Sequence, residues 1–429
     1  MKFKTAAEAL AAPRAFLAEL FDVAVQASTP LAGIRAHLPA PPQGRTVVVG
    51  AGKAAAEMAM AFEQLWPHKI KGAVVARHGT AANLKRIALL TASHPVPDAA
   101  GLAASAHLLE LVNDLSTDDL VIALMSGGGS ALLPAPAEGL TLADEVELNT
   151  ILLASGAPIA AMNTIRKQFS RIKGGRLALA AAPARIVTFV VSDIPGDVLA
   201  HVASGPTIPD HATRADAQAA VAQYQIALPQ KLKDFLAETP ATPSPRATAF
   251  ENHDVHLVAS ARLSLAAAAQ AAQAIGIPTH ILSDAIEGET REIAKMHAAM
   301  ALAVRKNSQP FVPPCLILSG GETTVTLGPD SPGKGGRNSE FLLSFAHAIA
   351  GEAGITALAA DTDGIDGSEN NAGGFVDGDT LHAIRAQGSD PARLLVGHDS
   401  WTALNLAKSL FVTGPTGTNV NDFRAILVL

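Results

Sequence analysis

Two layered α/β units are the architecture this sequence predicts, and three observations carry that expectation. Short apolar runs without polar alternation, RTVVV (45–49), DLVIAL (119–124), IVTFVV (186–191) and CLIL (315–318), read as strands buried on both faces, the mark of a parallel sheet. Alanine-rich stretches of helical length separate them. The chain has 429 residues, more than a single core usually organises. A proline-bearing segment, TPATPSPRATAF (239–250), marks the boundary. The expected layout is therefore α/β, as two α/β/α layered domains with largely parallel sheets and an interdomain active-site cleft. Residues 1–240 would form an N-terminal Rossmann-like domain and residues 241–429 a C-terminal α/β domain.

Taken in order, the N-terminal stretch reads as an amphipathic helix of a cytoplasmic protein. Phe16, Leu17, Leu20 and Phe21 share one helical face, while Glu8, Arg14, Glu19 and Asp22 interrupt any targeting-type apolar core. The first strand, 45–49, runs into GAGKAA (50–55) and a helix to about residue 66. Strands at 72–76 and 87–91 precede the SHPVPD turn (93–98) and a helix over 99–115. The strand at 119–124 ends in SGGGS (126–130), and a helix-rich block spans 142–181. The strand at 186–191 meets SDIPGD (192–197). Beyond the proline-bearing segment come a strand at 255–258, a helix at 261–274, a strand at 279–282 and a helix at 287–304. The strand at 316–318 is expected to break at SGGE (319–322), with a second β-rich run at 323–327. A glycine-rich loop carrying Lys334 and Arg337 leads to a helix at 341–350. The strand at 355–360 ends in DTDGIDG (361–367), and GPTGTNVND (414–422) precedes the last strand.

Composition narrows the function classes. With 48% hydrophobic and 17% charged residues the chain is globular, not disordered. A net charge of −7 argues against general nucleic-acid binding and leaves room for local cationic pockets. The most apolar stretch, 177–191, is interrupted by Pro183 and Arg185 and is too short to span a bilayer. Cys315 is the single cysteine, so no intrachain disulfide is available and a core thiol is expected. The histidines lack metal-ligand spacing, and His94 and His201 read as structural. Serine hydrolase chemistry is disfavoured by the missing G-x-S-x-G elbow.

Ligands of open parallel sheets gather at the carboxyl ends of the strands. Five predicted strand ends here are glycine-rich or polar: GAGK, SGGGS, SDIPGD, SGGE and DTDGIDG. Gly50 and Gly52 come close to a dinucleotide fingerprint, but Arg77-His78 stands where the acidic ribose ligand belongs, which disfavours NAD and leaves NADP open. Lys53 sits at a helix start, where a point charge suits a phosphate oxygen. Ser126, Gly127, Gly128, Gly129 and Ser130, and likewise Ser319, Gly320, Gly321 and Glu322, offer backbone N–H groups to an anion. Asp193, Asp361, Asp363 and Asp366 are candidate Mg²⁺ ligands beside nucleotide phosphates, with a plain Asp-Gly turn as the alternative for the last three.

Assembled, these motifs resemble the class II glycerate kinases, the glycerate 2-kinases with a C-terminal MOFRL domain. The resemblance spans nearly the whole chain through VVVGAGKAAAEMA, SHPVPD, SGGGSALL, NTIRKQFSRIKGGRLA, VSDIPGD, ASGPTIPD, SGGETTVTL, GKGGRNSEF, DTDGIDG and GPTGTNVND. It implies a MOFRL-type C-terminal domain, a site in the cleft between domains, and transfer of the ATP γ-phosphoryl group to the 2-hydroxyl of D-glycerate, giving 2-phosphoglycerate and ADP. It further implies ATP and Mg²⁺ as cofactors, D-glycerate as partner, no nucleic acid or membrane, and room for a homo-oligomer. Some members were named hydroxypyruvate reductases, so an NAD(P)H-dependent reductase is the alternative. By resemblance Lys53 and Arg337 are the catalytic cations, and Asp193 either orients the 2-hydroxyl or holds Mg²⁺. Lys173 and Asn419 join the two serine-glycine stretches at the cofactor. Ser339 is a departure, standing where glutamine is expected. The segment 239–246 is expected to lie near a hinge about which the domains close on substrate.

Overall fold

Unbroken apolar runs become buried strands. The computed structural model describes residues 2–209, 211–238, 243–328 and 333–429. Among them β1 (Thr46–Ala51), β2 (Lys71–Arg77), β3 (Ala88–Ala92), β4 (Leu120–Ser126), β5 (Arg185–Val191) and β6 (His253–Ala259) form one sheet in the order 3-2-1-4-5-6. The pairings from β3 through β5 are all parallel. Every residue of β1 and β4 is buried, which is why neither alternates. Val47, Val49, Val75, Val121 and Ile186 meet Leu108 and Leu111 of the helix Ala99–Leu111 in the core. Strand order reverses between β1 and β4, so their carboxyl ends flank the switch point where such sheets take ligands.

The second sheet is built from β7 (Thr279–Ile281), β8 (Ile286–Glu289), β9 (Cys315–Thr324), β10 (Ile355–Asp361), β11 (Gly373–Asp377), β12 (Leu410–Phe411) and β13 (Asp422–Val428). Its order is 12-11-10-13-9-7, with β8 beside β9. Here the largely parallel expectation gives way to a mixed sheet. Only β7 and β8 run parallel to β9, while β13 is antiparallel to both β9 and β10, and β10–β11–β12 are antiparallel in turn. The link from β10 to β11 carries DTDGIDG and is too short for a crossover helix, so the chain returns as a neighbouring antiparallel strand.

Packing also moves the expected boundary. The helix Pro13–Ala27 buries Phe16, Leu17, Leu20 and Phe21, which pack with Leu265, Leu316, Leu358 and Phe423. The compact units are accordingly Pro30–Val258, and Met1–Thr29 together with Ala259–Leu429. A division at 240/241 would strip β6 from the first sheet and the N-terminal helix from the second. Of the proposed hinge, residues 239–242 lie outside the described residues.

In the second unit His297 joins the helix Thr290–Asn307 to β9. It is 1% exposed; Nδ1 lies 2.8 Å from Ile293 O and Nε2 lies 3.0 Å from Ser319 Oγ. A carbonyl can only accept, so Nδ1 carries the proton and Nε2 accepts from the serine. Burial pushes this imidazole down from 6.5 to about 4. Between those values the unfolded chain binds more protons, so the contribution is complete above pH 6.5 and is lost as pH falls towards 4. Its full size is about 3 kcal/mol. Urea unfolding followed across this window should show stability falling on acidification, with a flatter profile for His297→Gln. Equal slopes in both proteins would remove the histidine from the acid response.

Candidate active site

At the switch point of the first sheet, two turns are stitched by their own backbones. Lys53 N–H donates to Gly127 O at 2.8 Å, and Ala54 N–H donates to Ser126 Oγ at 3.0 Å. Gly52 (φ +138°) lies against Ser126 so closely that any side chain there would collide with the serine hydroxyl. Gly50 lies within β1 itself. The helix Ala55–Leu65 then carries the chain away, leaving Lys53 at the rim.

Several groups converge there. Lys53 Nζ is 3.8 Å from the Asp193 carboxylate, and the two side chains are 35% and 21% exposed. Gly127 packs directly on that carboxylate. Gly128 (φ +80°) faces the His94 ring and Lys53 Cγ, each 3.2 Å from where a Cβ would stand. His94, read from sequence as structural, therefore sits within the cluster; its place in SHPVPD beside a strand end was the available signal. Burial, with Lys53 and Arg77 nearby, holds its imidazole below the ordinary histidine range. Gly129 is buried, and half-buried Ser130 lies 2.7 Å from Ser204, hydroxyl to hydroxyl.

Lys173 departs from its expected role. It is fully buried, with Nζ 2.7 Å from Glu145 Oε1 and 2.8 Å from Leu133 O, while Glu145 Oε2 accepts from Ala135 N–H at 3.0 Å. An ammonium so enclosed and paired is withdrawn from any nucleotide at the surface. It ties the helix Leu142–Ala154 to the segment that follows SGGGS.

In the second unit, SGGE is not a loop. β9 runs through it, pairing Ser319, Gly320 and Gly321 with Arg424, Phe423 and Asp422 of β13, while Gly321 also meets Ile286 of β8. Gly321 (φ +131°) admits the β8 backbone, with which any side chain would collide. Ser319 is buried on His297, and Gly320 N–H donates to Ser283 O at 2.8 Å. The anion-binding expectation for Ser319, Gly320 and Gly321 is thus corrected: sheet pairing consumes their polar groups. Glu322 instead reaches Arg337.

Arg337 opens the helix Arg337–Ile349 and is clamped by three carboxylates. Nε donates to Asp422 Oδ1 at 2.7 Å, Nη1 to Glu322 Oε1 at 2.9 Å and Nη2 to Asp361 Oδ2 at 2.8 Å. Burial, then Asp422 and Asp363, push the Asp361 carboxyl above its usual range. Thr323, Gly335, Gly336, Arg337, Asp361 and Ser400 help line a pocket of about 390 Å³ in this unit.

The expected metal ligands divide. Asp366 is fully buried and caps the Arg337 helix, accepting from Asn338 N–H at 2.9 Å, Ser339 N–H at 2.7 Å and Ser339 Oγ–H at 2.6 Å. Those bonds satisfy orphan donors of a helix whose own N-cap is Gly336, so Asp366 is a structural anchor and not a cation ligand. Ser339 completes this cap. Asp363 accepts from Ile365 N–H at 2.9 Å and from Asn419 Nδ2 at 3.3 Å, placing Asn419 behind the aspartate loop. Among the described residues no group of three His, Cys, Asp or Glu side chains is disposed to hold a metal. Mg²⁺ beside nucleotide phosphates asks for only one or two carboxylates, and the candidates left after Asp366 are Asp193 in the first unit and Asp361 and Asp363 in the second.

Lys173→Met should lower the unfolding free energy by about 3–5 kcal/mol, because it strands the Glu145 charge in the interior. Nucleotide affinity of the folded protein should be unchanged. Loss of affinity with unaltered denaturation would restore Lys173 to the ligand site.

Residues 16–237 match the family described as "Domain of unknown function (DUF4147)", and residues 315–422 match the MOFRL family. A protein of Agrobacterium vitis, provisionally named a hydroxypyruvate reductase, is 49% identical over 416 residues, covering 97% of this chain and 94% of its own. The D-glycerate 2-kinase of Thermotoga maritima is 37% identical over 414 residues, covering 96% of this chain and 97% of its own. The crystal structure of a Thermotoga maritima glycerate kinase superposes with a TM-score of 0.87 at 35% identity, over 96% of this chain and 99% of that one. Kinship of this extent, joined to the motifs now seen around Lys53 and Arg337, shows that the chain belongs to the glycerate 2-kinase family, with MOFRL sequence in its second unit.

Proposed function

We propose that this protein transfers the γ-phosphoryl group of ATP to the 2-hydroxyl of D-glycerate, forming 2-phosphoglycerate and ADP. The observation that supports this most is the cluster of Lys53, Asp193, His94 and the SGGGS turn at the switch point. Phosphoryl transfer needs little covalent help; it needs fixed charge around a transition state whose negative charge is spread over several oxygens. Lys53, partly exposed and held by one distant carboxylate, can turn its ammonium to a phosphate oxygen. Asp193, released from that pair, is assigned to orienting the substrate 2-hydroxyl. His94 keeps a neutral ring beside them. Arg337 is assigned as the second cation, its direction set by Glu322, Asp361 and Asp422. Mg²⁺, held through carboxylates such as Asp361 and through the phosphates, would supply further neutralisation of the phosphate oxygens.

The reductase alternative draws on the Agrobacterium vitis relative's name. Two features of the first unit bear on a dinucleotide. The GAGK turn is packed on Ser126, and Arg77 ends β2 where an acidic ribose ligand would be needed, which counts against NAD and leaves NADP as the reductase cofactor to be tested.

Incubation with D-glycerate, ATP and Mg²⁺ should release ADP. NADPH oxidation by hydroxypyruvate with no ADP from glycerate would overturn the kinase reading. Lys53→Ala should lower kcat by about 10²-fold or more with melting behaviour unchanged, since one preorganised contact is worth roughly 3 kcal/mol in the transition state. Arg337→Ala should lower both activity and stability, because it leaves three carboxylates facing one another. A Lys53→Ala enzyme of normal rate would return that lysine to the solvent-facing surface.

A further inference from the structure

Ser130 and Ser204 lie 2.7 Å apart, and distance alone does not say which hydroxyl donates. Their neighbours decide it. Arg166 is 7% exposed and carries donors only. Its Nη1 donates to Asn163 Oδ1 at 2.9 Å and its Nε to Asn149 Oδ1 at 2.7 Å. Burial draws the guanidinium down to about 10, which leaves it cationic at neutral pH. The other end of the Asn163 amide, Nδ2, donates to His201 O at 3.3 Å, so both ends agree on its orientation. Ser204 is fully buried with Oγ 3.1 Å from Asn163 Oδ1, an atom that can only accept. The Ser204 proton therefore points to Asn163; the reverse would set two lone pairs against each other in the interior. Ser204 is left to accept, and the Ser130 proton is drawn inward to it.

Half-buried Ser130 consequently meets a ligand with lone pairs and no proton. Such an oxygen repels a phosphate or carboxylate oxygen, so it does not extend an anion cradle. It suits a hydroxyl that donates. A serine is too weak a base to take the proton of the reacting hydroxyl, so the matching group is one that keeps its proton throughout. The turn bearing it lies beside the end of β1, since a Cβ on Gly129 would stand 3.1 Å from Ala51 O. Resting on the glycerate kinase reading, we propose that Ser130 is a specificity-determining acceptor for the substrate's non-reacting hydroxyl, the 3-hydroxyl of D-glycerate, with Ser204, Asn163 and Arg166 as positioning residues that fix its polarity.

Calorimetric titration of the full-length protein with D-glycerate and with D-lactate, which lacks the 3-hydroxyl, tests this without turnover. Wild type should prefer D-glycerate by about 3- to 10-fold, the worth of one neutral hydrogen bond. Ser130→Ala should abolish the preference by weakening glycerate alone, with D-lactate affinity unchanged. Ser204→Ala should erode the preference by weakening glycerate while leaving D-lactate affinity in place, although Ser130 remains. No preference in wild type, or equal losses for both acids in Ser130→Ala, would overturn the proposal. So would a Ser130→Ala enzyme altered only in its KM for ATP. Failure to form ADP would sink the kinase reading, while the titrations judge the hydroxyl contact independently.

Discussion

The first unit depends on a backbone constraint: the turns after β1 and β4 are hydrogen-bonded to each other before any ligand arrives. Lys53 N–H to Gly127 O and Ala54 N–H to Ser126 Oγ fix the two strand ends at one separation. Gly52 makes that approach sterically possible. The long side chain of Lys53 thus starts from a fixed Cα, and Asp193 and His94 are positioned against the same turn. Preorganisation of this kind lowers the cost of placing charge at the moment of reaction. The buried Lys173–Glu145 pair and the Arg166–Asn163–Ser204 chain act one shell further out, holding the segments that carry the SGGGS turn.

In the second unit the organising group is Asp422. Its Oδ1 takes Arg337 Nε and its Oδ2 takes Arg424 Nη2, so one fully buried carboxylate lies between two guanidiniums. That double pairing compensates a carboxylate in the interior, where an isolated charged group would be costly. Asp366 then anchors the helix that carries Arg337. The direction of the arginine is accordingly set from both its backbone and its head.

Much of this was legible in the sequence, for stated reasons. Continuous apolar runs located β1, β4, β5 and β10, and the polar strand ends located Lys53 and Asp193. The similar serine-glycine stretches show the limit of that reading. After β4 the glycines form a turn; in β9 they lie inside a strand, because β8 pairs there, and Ile286–Glu289 has no apolar run to announce it. Lys173 could not be read, since its partner Glu145 is 28 residues away and only packing reveals both as buried. Asp366 has the spacing of a cation ligand, yet its partners are amides 28 and 27 residues upstream. Local spacing reports which groups are near in the chain. It does not report which of their bonds the fold has already used.

That distinction separates the two cations. Lys53 faces one carboxylate at 3.8 Å in partly exposed surroundings, a pairing worth at most about 1 kcal/mol. A phosphate oxygen can displace that pairing at little cost. Arg337 holds three carboxylates at 2.7–2.9 Å, one of them fully buried. Drawing it away would strand those charges at a cost of several kcal/mol. The lysine is therefore the cation able to reorient towards an incoming anion. The arginine is held in a fixed position, its orientation set by its three carboxylate partners.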